Sequence, residues 1–504
     1  MKHVTLPLLV ALLLSIHPST FADQSDVQQT LPDVIQQQDW AAAERILPTV
    51  ADIDQRQPDG MSALHWAVRW GNAQWVRRLL EAGAQIDAAN EYEITPLAIA
   101  CSSGDAEITG ILLDRGADPN TTVAGGETVL MLASRTGEVQ TVNALIAKDA
   151  DVNEKQQHGQ TALMWAAAEG HVAVVDALLK AGADIDKQLR SGFNAWFFAA
   201  REGHSGVISR LLAAGVDVND VMNPQSTSGR APRRGMSALM LAVESGHFEL
   251  ALQLVDAGAD PNDQRSGYAP LHAISWVRRP ARGDNEEGDP PPRVDGEISS
   301  LEFVRQMVQR GADVNLRLEK GKHAKAKLNP RGATPFLFAA FTSDLPLMKT
   351  LKELGADIHQ GNVDGCTPML AAAGVGVFVA DEYPGSETEV LAAVRQLHQW
   401  GVSLDVVDEH GETAVHGAAY RSFAQVVDLL VELGCEPEFW HRKNELGSTP
   451  RQIAQGKRPG SFKPNQATIA AIDRALNAAG IEHENWVRPA DRKSWDDSPK
   501  PPKK

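Results

Sequence analysis

The side chains of this chain that could do chemistry are 15 histidines, 3 cysteines and 65 acidic residues, and they do not fall at spacings that a catalytic or metal site requires. A zinc hydrolase needs two histidines one helical turn apart with a glutamate between them. The one His-Glu pair, His483-Glu484, is followed by Asn485, Trp486 and Val487, so no second ligand arrives. There is no strained G-x-S-x-G nucleophile turn, no phosphate-cradling glycine loop, no C-x-x-C-H haem site and no zinc-spaced Cys/His set. Tyr383, with Asp381, Glu382, Glu387 and Glu389 around it, is the best that a hydrolase or a small-ligand binder could use. No catalytic residue, metal ligand or cofactor is therefore expected.

What must position these residues is a repeat. The register Thr161-Ala162-Leu163-Met164 has counterparts beginning at Ser62, Thr95, Thr128, Asn194, Ser237, Ala269, Thr334, Thr367, Thr413 and Thr449, and the four steps from Ser62 to Asn194 are 33 residues each. A fixed period of that length marks a stacked solenoid rather than one closed core. In the unit from His158 to Asp186, the Thr161 hydroxyl can accept from free N–H groups at the start of a helix, and Gly170 ends that helix. Val172, Val174, Val175, Leu178 and Leu179 then form the apolar stripe of a second helix, stopped by Gly182. Each unit is too thin to bury its own stripe and must stack on its neighbours.

These residues resemble the ankyrin repeat family, whose consensus T-A-L-M-x-A-A-x-x-G-H and L-L-x-x-G-A-D-x-N they follow almost letter for letter over roughly residues 31 to 480. Three later stretches, at 332–344, 364–376 and 410–422, look like a subgroup of exported bacterial ankyrin proteins. The resemblance implies an all-α repeat solenoid: helix-turn-helix units with turn or β-hairpin fingers, recognising protein partners on a concave face. It places Arg69, Trp70, Arg135, Thr136, Glu169, Phe193, Arg201, Glu202, Trp276, Phe341, Tyr420 and Arg421 on that face, as the two residues after the Ala-Ala pair or the one before the Thr. Aromatic and arginine side chains suit a protein contact, having large area and a polar handle. Trp66, Trp165 and Phe198 stand where the family has Leu, and are expected in the core. His171, His204 and His247 follow Gly at the inter-helix turn, and His65, His272 and His416 take the family's His in T-P-L-H; all are expected to make structural hydrogen bonds.

Residues 1–22 read as a secretory signal peptide, with Lys2, an apolar run from Val4 to Ile16, and cleavage after Ala22. The apolar run is short for a membrane span, and no later segment resembles one. Losing Lys2 takes the net charge of −17 to −18, which argues against general nucleic-acid binding and suits a monomeric periplasmic or secreted protein. Cys101, Cys366 and Cys435 fall in different repeats and are expected as free, buried thiols.

The chain divides into a polar leader (23–30), a degenerate capping repeat (31–57), ten repeats (58–448), a second cap (449–481) and a Pro- and Lys-rich tail (482–504). Insertions at 221–235 and 316–331 lengthen fingers; those at 278–297 and 374–389 separate first from second helices. The finger insertions are basic. Arg230, Arg233 and Arg234 lie in one, and Lys320, Lys322, Lys325 and Lys327 in the other. The inter-helix insertions are acidic, and in an ankyrin stack the two kinds of loop lie on opposite edges. The expected function is a non-catalytic protein-binding scaffold whose basic rim meets an acidic patch of its partner. An inhibitor or regulator of an enzyme, inserting Pro290–Pro292 or the Gly374–Val377 segment into a partner's active site, is the alternative.

Overall fold

The computed structural model describes residues 29–226, 234–280, 292–294, 296–320, 327–377, 379, 383–459, 463–483 and 486. Residues 1–28, Arg230, Arg233, Lys322, Lys325, most of the 278–297 insertion and nearly all of the tail lie outside them. Among the described residues are 24 α-helices, two 3-10 turns and one two-stranded ribbon, in two compact units, 1–216 and 217–504.

In the first unit six helix pairs follow one another, from Leu31–Gln36 with Trp40–Ile46 to Ala195–Glu202 with Ser205–Ala213. The cap of each first helix is built as the sequence requires. Side-chain oxygens of Thr95, Thr128, Thr161 and Asn194 accept from the backbone N–H three residues on, at 3.2, 3.2, 3.4 and 3.1 Å. Such a cap is worth about 1 kcal/mol. Leu64, Leu97, Leu130 and Leu163, one period apart, are buried between layers, as are Val76 and Leu79, Ile108 and Leu112, Val142 and Leu145 on the second helices.

The G-A-D-x-N signature has a physical purpose. The Asn153 amide donates to Gly182 O at 3.0 Å and its oxygen accepts from Asp184 N at 2.8 Å, stitching one repeat to the next. In the second unit Asn219, Asn262 and Asn315 make the same pair of bonds to Gly258 and Asp260, Gly311 and Asp313, and Gly355 and Asp357. The histidines are stitches too. His171 Nε2 meets Arg135 O at 3.0 Å, His204 Nε2 meets Ala168 O at 2.9 Å, and His416 Nε2 meets Ser448 O at 3.3 Å. Gly137 and Gly170 make room for two of them. Each has positive φ, and a Cβ on either would meet the next repeat's imidazole at 2.5 or 2.6 Å.

The finger of residues 121–128 forms the ribbon, Thr122–Val123 against Glu127–Thr128. The second unit also has six helix pairs, from Ala238–Ser245 with Phe248–Asp256 to Pro450–Ala454 with Gln466–Ala478. Its helix Pro270–Arg278 takes in the first residue of the 278–297 insertion. Arg278 and Arg279 then bind the fully buried Asp344 carboxylate at 2.6 and 3.7 Å, so the insertion is tied to the core at its root. The three cysteines are buried and free. Burial pushes the Cys101 and Cys435 thiols up to about 12, and raises Cys366 as well.

Candidate functional site

On the first-helix face of the first unit, three arginines each lie over an aromatic ring. Arg69 is 6.0 Å from the Trp66 ring, Arg135 is 5.3 Å from Trp165, and Arg201 is 4.9 and 5.1 Å from Phe193 and Phe198. Arg69, Arg135 and Arg201 stand two 33-residue periods apart, so an arginine recurs on alternate layers, over rings of its own repeat at Arg69 and Arg201 and over the next repeat's ring at Arg135. Trp70 stacks on Trp66 at 6.3 Å and keeps 41% of its surface exposed. Trp66 and Trp165, expected in the core, are only half-buried and offer their rings to this row. Phe193 is buried beneath Arg201. Arg135 also pairs with Glu127 at 3.2 Å and Arg201 with Glu202 at 2.6 Å; Thr136 and Glu169 are exposed. An arginine over a ring adds about 0.5–1 kcal/mol at an exposed site.

In the second unit the same positional rule lands on three buried residues and one half-buried one. Trp276 is half-buried, with Tyr268 edge-on at 4.9 Å. Phe341 packs on Tyr383 at 5.5 Å, and Tyr420 and Arg421 are each 1% exposed. These three are therefore not surface contacts, contrary to expectation. The cause is the 374–389 insertion. Gly374, at φ 118°, ends the helix Pro368–Ala373, and Val375 and Val377 then fold inward and are buried. Gly417 permits this, since a Cβ there would meet Val375 N at 2.8 Å; at the matching position other repeats carry Trp66, Trp165 or Phe198. Arg421 holds the far end of the insertion by donating to Pro384 O, Gly385 O and Phe341 O at 2.9, 3.2 and 3.3 Å.

The finger insertion and the inter-helix insertion are not on opposite edges here. Leu328 N donates to Gly376 O at 3.3 Å, so the end of 316–331 meets the start of 374–389. Nor is the finger simply a basic rim. Lys320 is exposed and donates to Arg265 O at 3.3 Å, whereas Lys327 lines an acidic recess.

That recess is a cavity of about 30 Å³, enough for a water-sized group. The buried residues Asp364, Asp408 and Glu412 line it, with His410 and Glu445 beside them. Its backbone frame is three consecutive finger turns. Oδ1 of Asn362, Asp408 and Asn444 each accepts from two backbone N–H groups, at 2.8–3.1 Å. Glu412 Oε1 accepts from Tyr420 Oη at 3.0 Å and from Asn444 Nδ2 at 2.9 Å, while Oε2 is fully buried and makes no hydrogen bond. Burial, aided by the charges of Asp408 and Glu445, pushes the Glu412 carboxyl up to about 8 against those two donors. Burial lowers His410, but Glu445 at 2.9 Å and Asp364 at 3.4 Å outweigh it and raise its proton affinity.

Sequence reasoning missed this recess. The position before the capping Thr, which named Phe193, names Glu412 equally well, but Glu127 stands there too, so an acid at that position was no distinguishing signal. Among the described residues no three His, Cys, Asp or Glu side chains converge as a metal ion would need, and no helix is long and apolar enough to cross a membrane.

The helix pairs, caps and cross-repeat stitches define an all-α repeat solenoid. Ankyrin repeats are found in it: the family model for ankyrin repeats (3 copies) matches residues 34–123, 120–189 and 181–265. A transient receptor potential cation channel subfamily A member 1 homolog from Caenorhabditis elegans is 33% identical over 122 residues, 24% of this chain. This chain spans only 9% of that protein's length.

Proposed function

We propose that this protein is a non-catalytic scaffold, exported to a bacterial periplasm as a monomer, that binds a protein partner on its first-helix face. The observation that carries the reading is the row of arginines stacked on aromatic rings at Arg69, Arg135 and Arg201, with Trp70 exposed beside them. Arg69, Trp70, Arg135 and Arg201 lie outside the buried core, although Phe193 and Phe198 beneath Arg201 belong to it. Export is supported by the Lys2, Val4 to Ile16 and Ala22 pattern. An acidic patch on the partner would complement the 316–331 finger, where Lys320 is exposed.

The test is recovery of a partner from periplasmic extract on the immobilised protein, compared with Trp70→Ala and Arg201→Ala. Each substitution is expected to weaken partner binding at least about tenfold, as loss of an aromatic or arginine anchor does. Recovery that neither change affects would reject this face as the binding surface.

A further inference from the structure

We infer that the recess between the two insertions of the second unit is a pH-sensitive clasp, which holds the end of the 316–331 finger in place at acid and neutral pH and loosens as the solution turns alkaline. What it would regulate is the firmness with which that finger is presented. The inference does not rest on the scaffold reading.

The clasp is assembled from parts of unequal firmness. Its base is the three finger turns at Asn362, Asp408 and Asn444, each of which leads directly into a capped first helix, at Thr367, Thr413 and Thr449. Lys327, Leu328 and Asn329 complete the lining from the finger insertion, with Val375 and Gly376 beside them. These five lie outside any helix. Asn329 ties its segment to the base: its Nδ2 donates to Asp364 Oδ1 at 3.0 Å and its carbonyl accepts from Asn362 Nδ2 at 2.9 Å. Gly376 admits Leu328, since a Cβ there would meet Leu328 N at 2.6 Å. Cys366 lines the same recess and is 2% exposed.

The charges that meet here set the direction of the response. Lys327 and His410 are the bases, and Asp364, Asp408, Glu412 and Glu445, from three successive fingers, are the acids. Glu412 keeps its proton to about 8, chiefly through burial. His410, although burial opposes it, keeps its own above the ordinary 6.5 because Glu445, Asp364 and Asp408 face it. Both groups thus hold protons more tightly in the closed recess than in water. Their stabilisation is complete in acid and is lost as pH rises through these values, where one negative charge appears and one positive charge disappears in the same space. Asp408, raised by burial, acts with the same sign. His416, 3.9 Å from Glu412 Oε2, is held down to about 4 by burial and stays neutral throughout, as do Cys366 and Tyr420, which burial raises.

Cys366 is the probe, alkylated with iodoacetamide in the full-length protein at pH 6.5 and at pH 9, each cysteine being followed by peptide mass spectrometry. The buried Cys435 of the same unit and Cys101 of the first correct for thiolate formation, which climbs with pH at all three. The Cys366 rate relative to Cys435 is expected to rise at least about tenfold, and Glu412→Gln should remove most of that rise. His410→Gln, lacking the cation at every pH, should label Cys366 faster already at pH 6.5. Cys435 protection equal to that of the unsubstituted protein at pH 6.5 would show that both variants fold. In a recess that stayed closed, the growing charge of Glu412 would make Cys366 harder to ionise, so a flat or falling ratio would overturn the inference. So would a rise shared equally by Cys435, which means unfolding of the whole unit, or a rise undiminished in Glu412→Gln.

Discussion

Relative to the unsubstituted protein, the Glu412→Gln variant is expected to lose about 2–3 kcal/mol of stability as pH falls from 7 to 5. The sign follows from where the proton sits. In the unfolded chain Glu412 releases its proton near the ordinary glutamate value of 4.5; in the fold, burial holds the proton until about 8. Its contribution is therefore fully present below about 4.5 and lost as pH rises through 8. Acidification strengthens the unsubstituted protein at this site, and a glutamine cannot take part. His272 and His416 act the other way in both proteins. Burial pushes both imidazoles down to about 4, so the stability they supply is present above about 6.5 and lost as pH falls toward 4. The His272 contribution cancels in the comparison; His416, 3.9 Å from Glu412 Oε2, is coupled to the carboxyl and is read together with it. Urea unfolding of both proteins at the two pH values measures it. Parallel pH profiles would mean that Glu412 is ionised in the fold.

Arg421→Ala is expected to destabilise the second unit by about 3–5 kcal/mol, since hydrogen bonds from a charged donor contribute roughly 1.5 kcal/mol or more each. Three carbonyls, of Phe341, Pro384 and Gly385, would lose a buried donor at once, and the side chain would leave a cavity beneath the insertion. Denaturant curves give the magnitude. Proteolysis gives the location, because cleavage within 374–389 should speed up while the first unit keeps its resistance. A loss below about 1 kcal/mol would mean that the insertion does not depend on this anchor.

The repeat itself was legible because its determinants are local. Thr161 capping Met164 N, Gly170 ending a helix and the Asn153 stitch are fixed by residues within one period or its neighbour. The row at Arg69, Arg135 and Arg201 could be placed for the same reason, since an unbroken period carries each position to the same face. Where the period is interrupted the rule still located Tyr420 and Arg421 but not their burial. That depends on a segment some forty residues earlier folding back through the gap left by Gly417. The acidic recess has the same origin. Leu328 meets Gly376, and Asp364, Asp408 and Glu445 come together from three fingers, a convergence with no spacing signature in the chain.

The central claim, that a partner seats on the first-helix face, is tested most directly by a photo-crosslinking side chain at Ser102. Ser102 is exposed on the helix Pro96–Ser103, at the register position of Arg69 and Arg135 one layer from each. The same group at Gln74, exposed on the second helix Ala73–Glu81, is the control. In living cells one discrete protein adduct is predicted from position 102, absent from position 74 and lost when Trp70 is also changed to Ala. Adducts from position 74 but not 102, or an adduct at 102 indifferent to Trp70, would contradict the account.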